Sequence, residues 1–396
     1  MNSKASSVPD EWFRKGLDEK AVAAGCWFDI EAAERVRAFF RRFLRHSKGK
    51  WAGQPFELLE WQWRDVVAPL FGWKRPDGTR RFRKAYIEVP KKNGKSTLCA
   101  GLGLYLLVGD NEPGAEVYSA AADRDQASIV YNEAASMVRA SPELSSHLLV
   151  TDSRKTIGFP RTSSIYKALS SEVPTKEGLN IHGLIFDELH AQKTRDLWDS
   201  LTYGGAAREQ PLLIAITTAG WDKNSICYEQ RRYAEQVRDG VIEDWSFFGY
   251  ISAAGEDDDW TDPKLWERVN PSWGVTISAD EFAEAANEAQ SSPTKENTFK
   301  RYRLDIWTEQ DIRWLPLERW DACDAVPGVL DGRACFGGLD LSSTTDITAF
   351  VLLFPANDSS GLIPVLPFFW IPEENARKRE RRDKVPYLTW AREGLI

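Results

Sequence analysis

Short apolar runs alternate with helical periodicity through the middle of this chain. Residues 84–89 (KAYIEV) read as a strand, 90–94 as a loop and 95–108 as an apolar helix. A second strand at 115–121 (AEVYSAA) precedes a helix from about 123 to 139. Further strands are expected at 164–169, 184–186 and 212–217 (LLIAIT). Strands alternating with helices predict an α/β fold built on a mostly parallel sheet. Upstream, residues 29–45 place apolar side chains at helical spacing beneath an Arg-rich face, and 56–68 read as a helix ending before Pro69. Downstream, 226–245 and 279–304 are charged and helical, flanking an acidic loop at 255–260 (GEDDDW). Residues 305–320 are Trp-rich and read as a connector, and a second sheet starts with strands at 334–341 and 347–354.

Composition narrows the class. The 396 residues allow two or three domains. Lys plus Arg is 51 and Asp plus Glu 59, a net charge of −8, which argues against a uniformly basic nucleic-acid coat but leaves room for a local basic groove. The basic stretches 74–84 and 377–384 are candidate footprints, with solvated surface charge as the competing reading. Five widely spaced cysteines (Cys26, Cys99, Cys227, Cys323, Cys335) form no CxxC pair, so structural zinc is not expected and a reducing compartment is. No apolar run approaches the roughly 20 residues a membrane helix needs, and residues 1–15 carry no signal-like apolar region.

Chemistry concentrates where strand meets helix. Val89-Pro90-Lys91-Lys92-Asn93-Gly94-Lys95-Ser96 lies between a strand and a helix, where backbone N–H groups and the helix N-terminus make an anion site. Lys95 is placed to reach the β- and γ-phosphates of a nucleotide and Ser96 to ligate Mg²⁺. Val89 stands where the motif usually starts with glycine. A short apolar strand then delivers Asp187 and Glu188 to the sheet's C-terminal edge, 92 positions after Lys95. Asp187 is placed to hold Mg²⁺ and Glu188 to activate water, so ATP hydrolysis is expected. Thr217 and Thr218 end another strand and are candidates to sense the γ-phosphate. Gln62 has an amide suited to the adenine edge.

These residues carry a resemblance. VPKKNGKS (89–96), SAAADRDQA (119–127), LIFDELH (184–190) and ITTAG (216–220) resemble the ATPase motor of the large subunit of tailed-bacteriophage terminases. RYRLDIWTEQ (301–310), RWLPLERWDAC (313–323) and GGLDLSSTTDITA (337–349) resemble that family's linker and the start of its nuclease. The resemblance implies a P-loop ATPase that pumps double-stranded DNA into a procapsid, acting as a homo-oligomeric ring with a small subunit and the portal protein. It places the chain in the cytoplasm of an infected bacterium, transiently at the portal, with no membrane partner. It tolerates Val89. Carried over by position, Trp61, Gln62, Lys91, Lys92, Asn93, Gly94, Lys95, Ser96 and Thr97 would contact ATP. Asp187 and Ser96 would hold Mg²⁺, Glu188 would be the base, and Thr217 and Thr218 the coupling motif. Arg124 would complete a neighbour's site.

The resemblance also implies a ribonuclease H-like nuclease using Mg²⁺ or Mn²⁺. Asp340, on a strand, is its metal-ligand candidate, with Asp346 as an accessory. Several carboxylates must converge in such a site. Only 56 residues follow Asp340, and Glu373, Glu374 and Asp383 lie in a charged stretch rather than on a strand. The nuclease is therefore expected to be incomplete and cleavage by this chain alone is not expected. The resulting division is a helical segment (1–50), an ATPase core (51–225), a helical lid or linker (226–324) and an incomplete nuclease (325–396). The competing functions are a helicase-like translocase and a non-catalytic interaction fragment.

Overall fold

A computed structural model of the chain describes residues 8–169, 178–308, 320–342, 347–356, 361–376, 379–380 and 385–396. It divides into two units, Met1–Trp314 and Leu315–Ile396.

The larger unit begins with a helical wrap. Helices α1 (Leu17–Ala23) and α2 (Ile30–Phe43) flank strand β1 (Trp27–Phe28), which pairs with β2 (Trp73–Lys74). Asp29 caps α2 by accepting the Ala32 N–H at 3.0 Å, and α2 buries Val36, Phe39 and Phe40. Its basic face is solvated: Arg37 pairs with Glu34 and Arg41 with Glu57, each at 3.4 Å and exposed. The helix expected to stop before Pro69 instead continues as a π-helical turn (Gln62–Val67) into α3 (Ala68–Gly72). The wide turn shifts the hydrogen-bond register, so Pro69 falls in the first turn of α3, where a missing N–H costs nothing.

Eight strands form the central sheet: β3 (Lys84–Glu88), β4 (Glu116–Ala120), β5 (Leu149–Thr151), β6 (Thr156–Phe159), β7 (Ser164–Ala168), β8 (Ile181–Asp187), β9 (Leu212–Thr217) and β10 (Phe247–Ile251). Their order is β10-β3-β9-β8-β4-β7-β6-β5. Neighbours from β10 to β7 are parallel; β6 and β5 extend the sheet antiparallel. The expected parallel α/β fold is thus present, and β8 and β9 are buried along their whole length, as strands covered on both faces must be. Side chains alternate between two cores. Ala85 and Ile87 of β3 face a cluster with α2, α3, α4 (Lys95–Val108) and α5 (Arg124–Ala140). Tyr86 faces a second cluster with α7 (Asp196–Thr202) and α8 (Ile226–Arg238), α6 (Pro142–Ser145) being a single turn after α5. A third core joins α9 (Pro263–Val269), α10 (Ala279–Gln290) and α11 (Pro293–Arg303).

The structure departs from expectation at several places. The helix read at 226–245 stops at Arg238, and β10 then adds to the sheet beside β3. Pro293 starts a new helix within 279–304. Within the basic stretch 74–84, two cations are internal: Arg80 pairs with Asp110 and Arg81 with Asp18, all four buried or nearly so. Those two arginines are therefore not available to DNA, while Lys74, Arg75 and Arg83 are half-buried and Lys84 is exposed. Of 377–384, only residues 379 and 380 are described.

In the smaller unit, β11 (Phe336–Asp340), β12 (Thr348–Leu353) and β13 (Val365–Trp370) form an antiparallel sheet, and a helix spans Tyr387–Arg392. Strand β13 has no clear signature in the sequence, because Pro367 interrupts it. Phe336, Leu339, Phe368 and Trp370 are exposed on this sheet. Among the described residues, no helix is long and apolar enough to cross a membrane.

Candidate active site

β3 ends at Glu88, and the chain turns through Val89–Gly94 into α4. Two residues of this loop, Lys92 (φ 71°) and Gly94 (φ 82°), adopt the left-handed conformation that turns the backbone back on itself. Lys95 is buried at the start of α4, where its Nζ donates to Val89 O (2.9 Å), Pro90 O (3.2 Å) and Thr218 Oγ1 (2.8 Å). Ser96 and Thr97 are half-buried beside it. Asn93 turns away from the loop's mouth. Its amide donates to Asn270 Oδ1 at 3.1 Å and its oxygen accepts the Ser272 N–H at 2.9 Å, pinning the segment after α9 to the loop. Lys91 lies over the Tyr302 ring at 3.4 Å, and Lys92 is exposed.

β9 separates the loop strand from β8, which ends in Asp187. Asp187 is fully buried, and neither of its oxygens has a hydrogen-bond partner among the described residues. Burial, together with the neighbouring Glu188, pushes its carboxyl up to about 7. Glu188 takes a left-handed backbone (φ 51°), a sparsely populated conformation of the kind that gathers at functional sites. Its Oε2 lies 3.1 Å from His190 Nδ1 and accepts Thr218 Oγ1–H at 3.4 Å. Burial would raise the Glu188 carboxyl, but the His190 hydrogen bond and the charges of Lys95 and Lys91 overcome it and hold it at about 2. Thr217 accepts the His190 N–H at 3.1 Å, and Thr218 bridges Lys95 and Glu188. The loop, Lys95, Glu188 and the two threonines therefore share one hydrogen-bonded cluster, at the end of the sheet where Asp187 also lies.

A cavity of about 570 Å³ opens beside the loop. Gln62, Gly94, Ser96 and Thr97 line one end. The remaining wall comes from a loop closed by the Arg45–Pro55 bridge, with His46 and Trp51, from Ile129 and Glu133 of α5, and from Val275 and Thr276. Ser47 (2.6 Å) and Lys48 (3.1 Å) tie this loop to Glu133. Trp61 lies outside the wall: its indole donates to Ser272 Oγ at 2.9 Å and stacks on Tyr250. His46, Trp51, Glu133 and Thr276 carried no sequence signal. Arg124 opens α5, and its side chain lies outside the described residues.

The comparisons with known proteins agree with this geometry. The family model "Terminase large subunit, ATPase domain" matches residues 60–236, and "Terminase large subunit, endonuclease domain" matches 241–395. The large terminase subunit of Enterobacteria phage HK97 is 34% identical over 367 residues, spanning 92% of this chain and 70% of that protein. The chain belongs to the terminase large subunit family. It carries that family's ATPase and endonuclease domains and is an enzyme of viral DNA packaging. Protein YmfN of Escherichia coli K12 is 28% identical over 229 residues, 56% of this chain and 50% of that one. The crystal structure of the HK97 large terminase superposes with a TM-score of 0.61 at 31% identity, covering 92% of this chain and 73% of that chain.

A terminase ATPase domain implies a nucleotide and a divalent cation. The donor set fits them: the buried, unbonded oxygens of Asp187 and the hydroxyl of Ser96 are hard oxygen donors of the kind such a cation takes. In the smaller unit, Asp340 ends β11 and is exposed. Among the described residues, no three His, Cys, Asp or Glu side chains converge as a metal site. Glu373 opens a short 3-10 turn followed by Glu374, while Asp346 and Asp383 lie outside the described residues.

Proposed function

We propose that this terminase chain hydrolyses ATP at the loop of β3 and α4 and uses it to drive double-stranded DNA into a procapsid. The buried Asp187, unbonded and next to that loop, supports this reading most directly. A bare carboxylate in an apolar strand is costly unless a cation neutralises it. Asp187 and Ser96 would hold Mg²⁺, which when bound neutralises charge on the phosphate oxygens. Lys95 would exchange its loop carbonyls for phosphate, and Gln62 lines the cavity end that suits the base. Glu188 stays ionised, so it can orient the attacking water and take its proton. Thr218 touches both Lys95 and Glu188 and would report loss of the γ-phosphate to β9 through Thr217.

Arg124 is proposed to act on a neighbouring subunit of a ring. Asp340 would begin a nuclease site using Mg²⁺ or Mn²⁺. Residues 1–50, 51–225, 226–324 and 325–396 are assigned to the helical segment, ATPase core, lid or linker and nuclease. The proposed partners are the small subunit and the portal, in the cytoplasm of an infected bacterium. The test is ATP turnover with and without double-stranded DNA. Wild type is expected to turn over ATP faster with DNA, and Glu188→Gln to lose turnover. Equal turnover in both proteins would refute the reading.

A further inference from the structure

Asp305 is a fully buried acid that the mechanism above leaves unused. Its backbone is left-handed, φ 59°, a conformation where glycine is at ease and an aspartate is held by what its side chain does. Its Oδ1 accepts the Ala219 N–H at 2.7 Å, and Oδ2 has no hydrogen-bond partner among the described residues. Two residues on, Trp307 Nε1 donates to Glu88 Oε1 at 3.1 Å. The Trp307 ring packs so closely on Gly220 that a Cβ there would lie 2.9 Å from it. Three residues before, Tyr302 O accepts the Lys91 N–H at 2.8 Å.

These contacts fall on two neighbouring strand ends. Glu88 and Thr217 are register partners on β3 and β9. β3 leads directly into the Val89 and Pro90 carbonyls that hold Lys95, and β9 leads into Thr218, which joins Lys95 to Glu188. A strap from Tyr302 to Trp307 therefore bonds to both strand ends that lead into the catalytic cluster. We infer that Asp305 is a positioning residue for ATP hydrolysis: its carboxyl oxygen fixes the Thr218–Ala219 peptide, and through it the Thr218 hydroxyl between Lys95 and Glu188. The inference rests on the ATPase reading above. Without the acceptor, the Ala219 N–H loses its partner and that peptide is free to turn. A misplacement near 1 Å costs roughly 10²-fold in rate.

The test uses the full chain in two variants. Asp305→Gly removes the carboxyl while suiting the backbone conformation. Asp305→Asn keeps an uncharged acceptor oxygen in the same place. Steady-state ATP hydrolysis, equilibrium binding of a fluorescent ATP analogue, thermal melting and hydrogen exchange at the Ala219 amide are measured. For Asp305→Gly the expectation is a kcat lowered about 10²-fold, nucleotide affinity and KM little changed, and faster Ala219 exchange. Asp305→Asn restores most of the rate and the slow exchange. A merely structural residue would instead lower melting and affinity together. Wild-type kcat in Asp305→Gly, or equal impairment in both variants, overturns the positioning role. Absence of turnover in the wild type overturns the ATPase reading, and the positioning role with it.

Discussion

Asp110 stands just beyond the C-terminal end of α4 and ties the phosphate-loop helix to the sheet. It accepts two hydrogen bonds from the Arg80 guanidinium, at 3.0 and 2.9 Å, and lies 2.8 Å from His182 Nε2 on β8. Burial alone would raise the Asp110 carboxyl, but the Arg80 charge and the His182 hydrogen bond hold it well below the usual carboxylate range. Asp110→Asn keeps the shape and removes the charge. Arg80, 1% exposed, is left without its counter-ion. Removing one partner of such a pair costs about 3–5 kcal/mol. Arg80 keeps its bond to Gln210 O at 2.5 Å, which favours the lower end. At about 2–4 °C per kcal/mol, the melting temperature should fall on the order of 6–12 °C.

Differential scanning calorimetry across pH supplies the assay. The folded-state pKa lies below the unfolded value of about 3.9, so the ion pair's stabilisation is full above about pH 5 and lost as pH falls below about 4. The gap between wild type and Asp110→Asn should therefore close in acid. The double variant Arg80→Met with Asp110→Leu removes both charges and should recover much of the loss. A single variant within about 1 kcal/mol of wild type, or a gap unchanged between neutral and acid pH, would refute the reasoning.

Three further outcomes follow from the same geometry. Thr218→Val removes the hydroxyl between Lys95 and Glu188, so single-turnover hydrolysis should slow about tenfold or more while nucleotide binding persists. Trp51→Ala removes an aromatic side chain from the cavity wall and should raise the KM for ATP five- to tenfold, corresponding to roughly 1 kcal/mol of lost aromatic contact, with kcat unchanged at saturation. Gly101→Ala would place a Cβ 2.4 Å from Phe40 Cε1, where α2 crosses α4. Overpacking of about 1–3 kcal/mol should appear as a lower melting temperature, relieved by adding Phe40→Leu.

The parts of this molecule legible in its sequence are those whose physics is local. Phosphate binding needs one strand, one tight loop and one helix start, all within residues 84–108, and the apolar run ending in Asp187 announces itself because both faces of β8 are covered. β5 and β6 escaped notice because they are three and four residues long and only partly buried. β10 was hidden behind a charged helix whose periodicity runs into it. Charge misled most where its partner is distant. Arg80 and Arg81 read as surface, yet they are held inside by Asp110, 30 residues on, and Asp18, far upstream. The same distance separates the loop and its strand end from the groups that hold them. Asn93 is locked by Asn270 and Ser272, up to 179 residues away, and Glu88 by Trp307 at 219. Reaction class is thus written in consecutive residues because a phosphate sees only a few ångströms of chain. Its geometry is set by segments after β10 that return across the loop. Substitutions at Asn270, Ser272, Asp305 or Trp307 should therefore alter turnover without altering any residue that lines the cavity beside the loop.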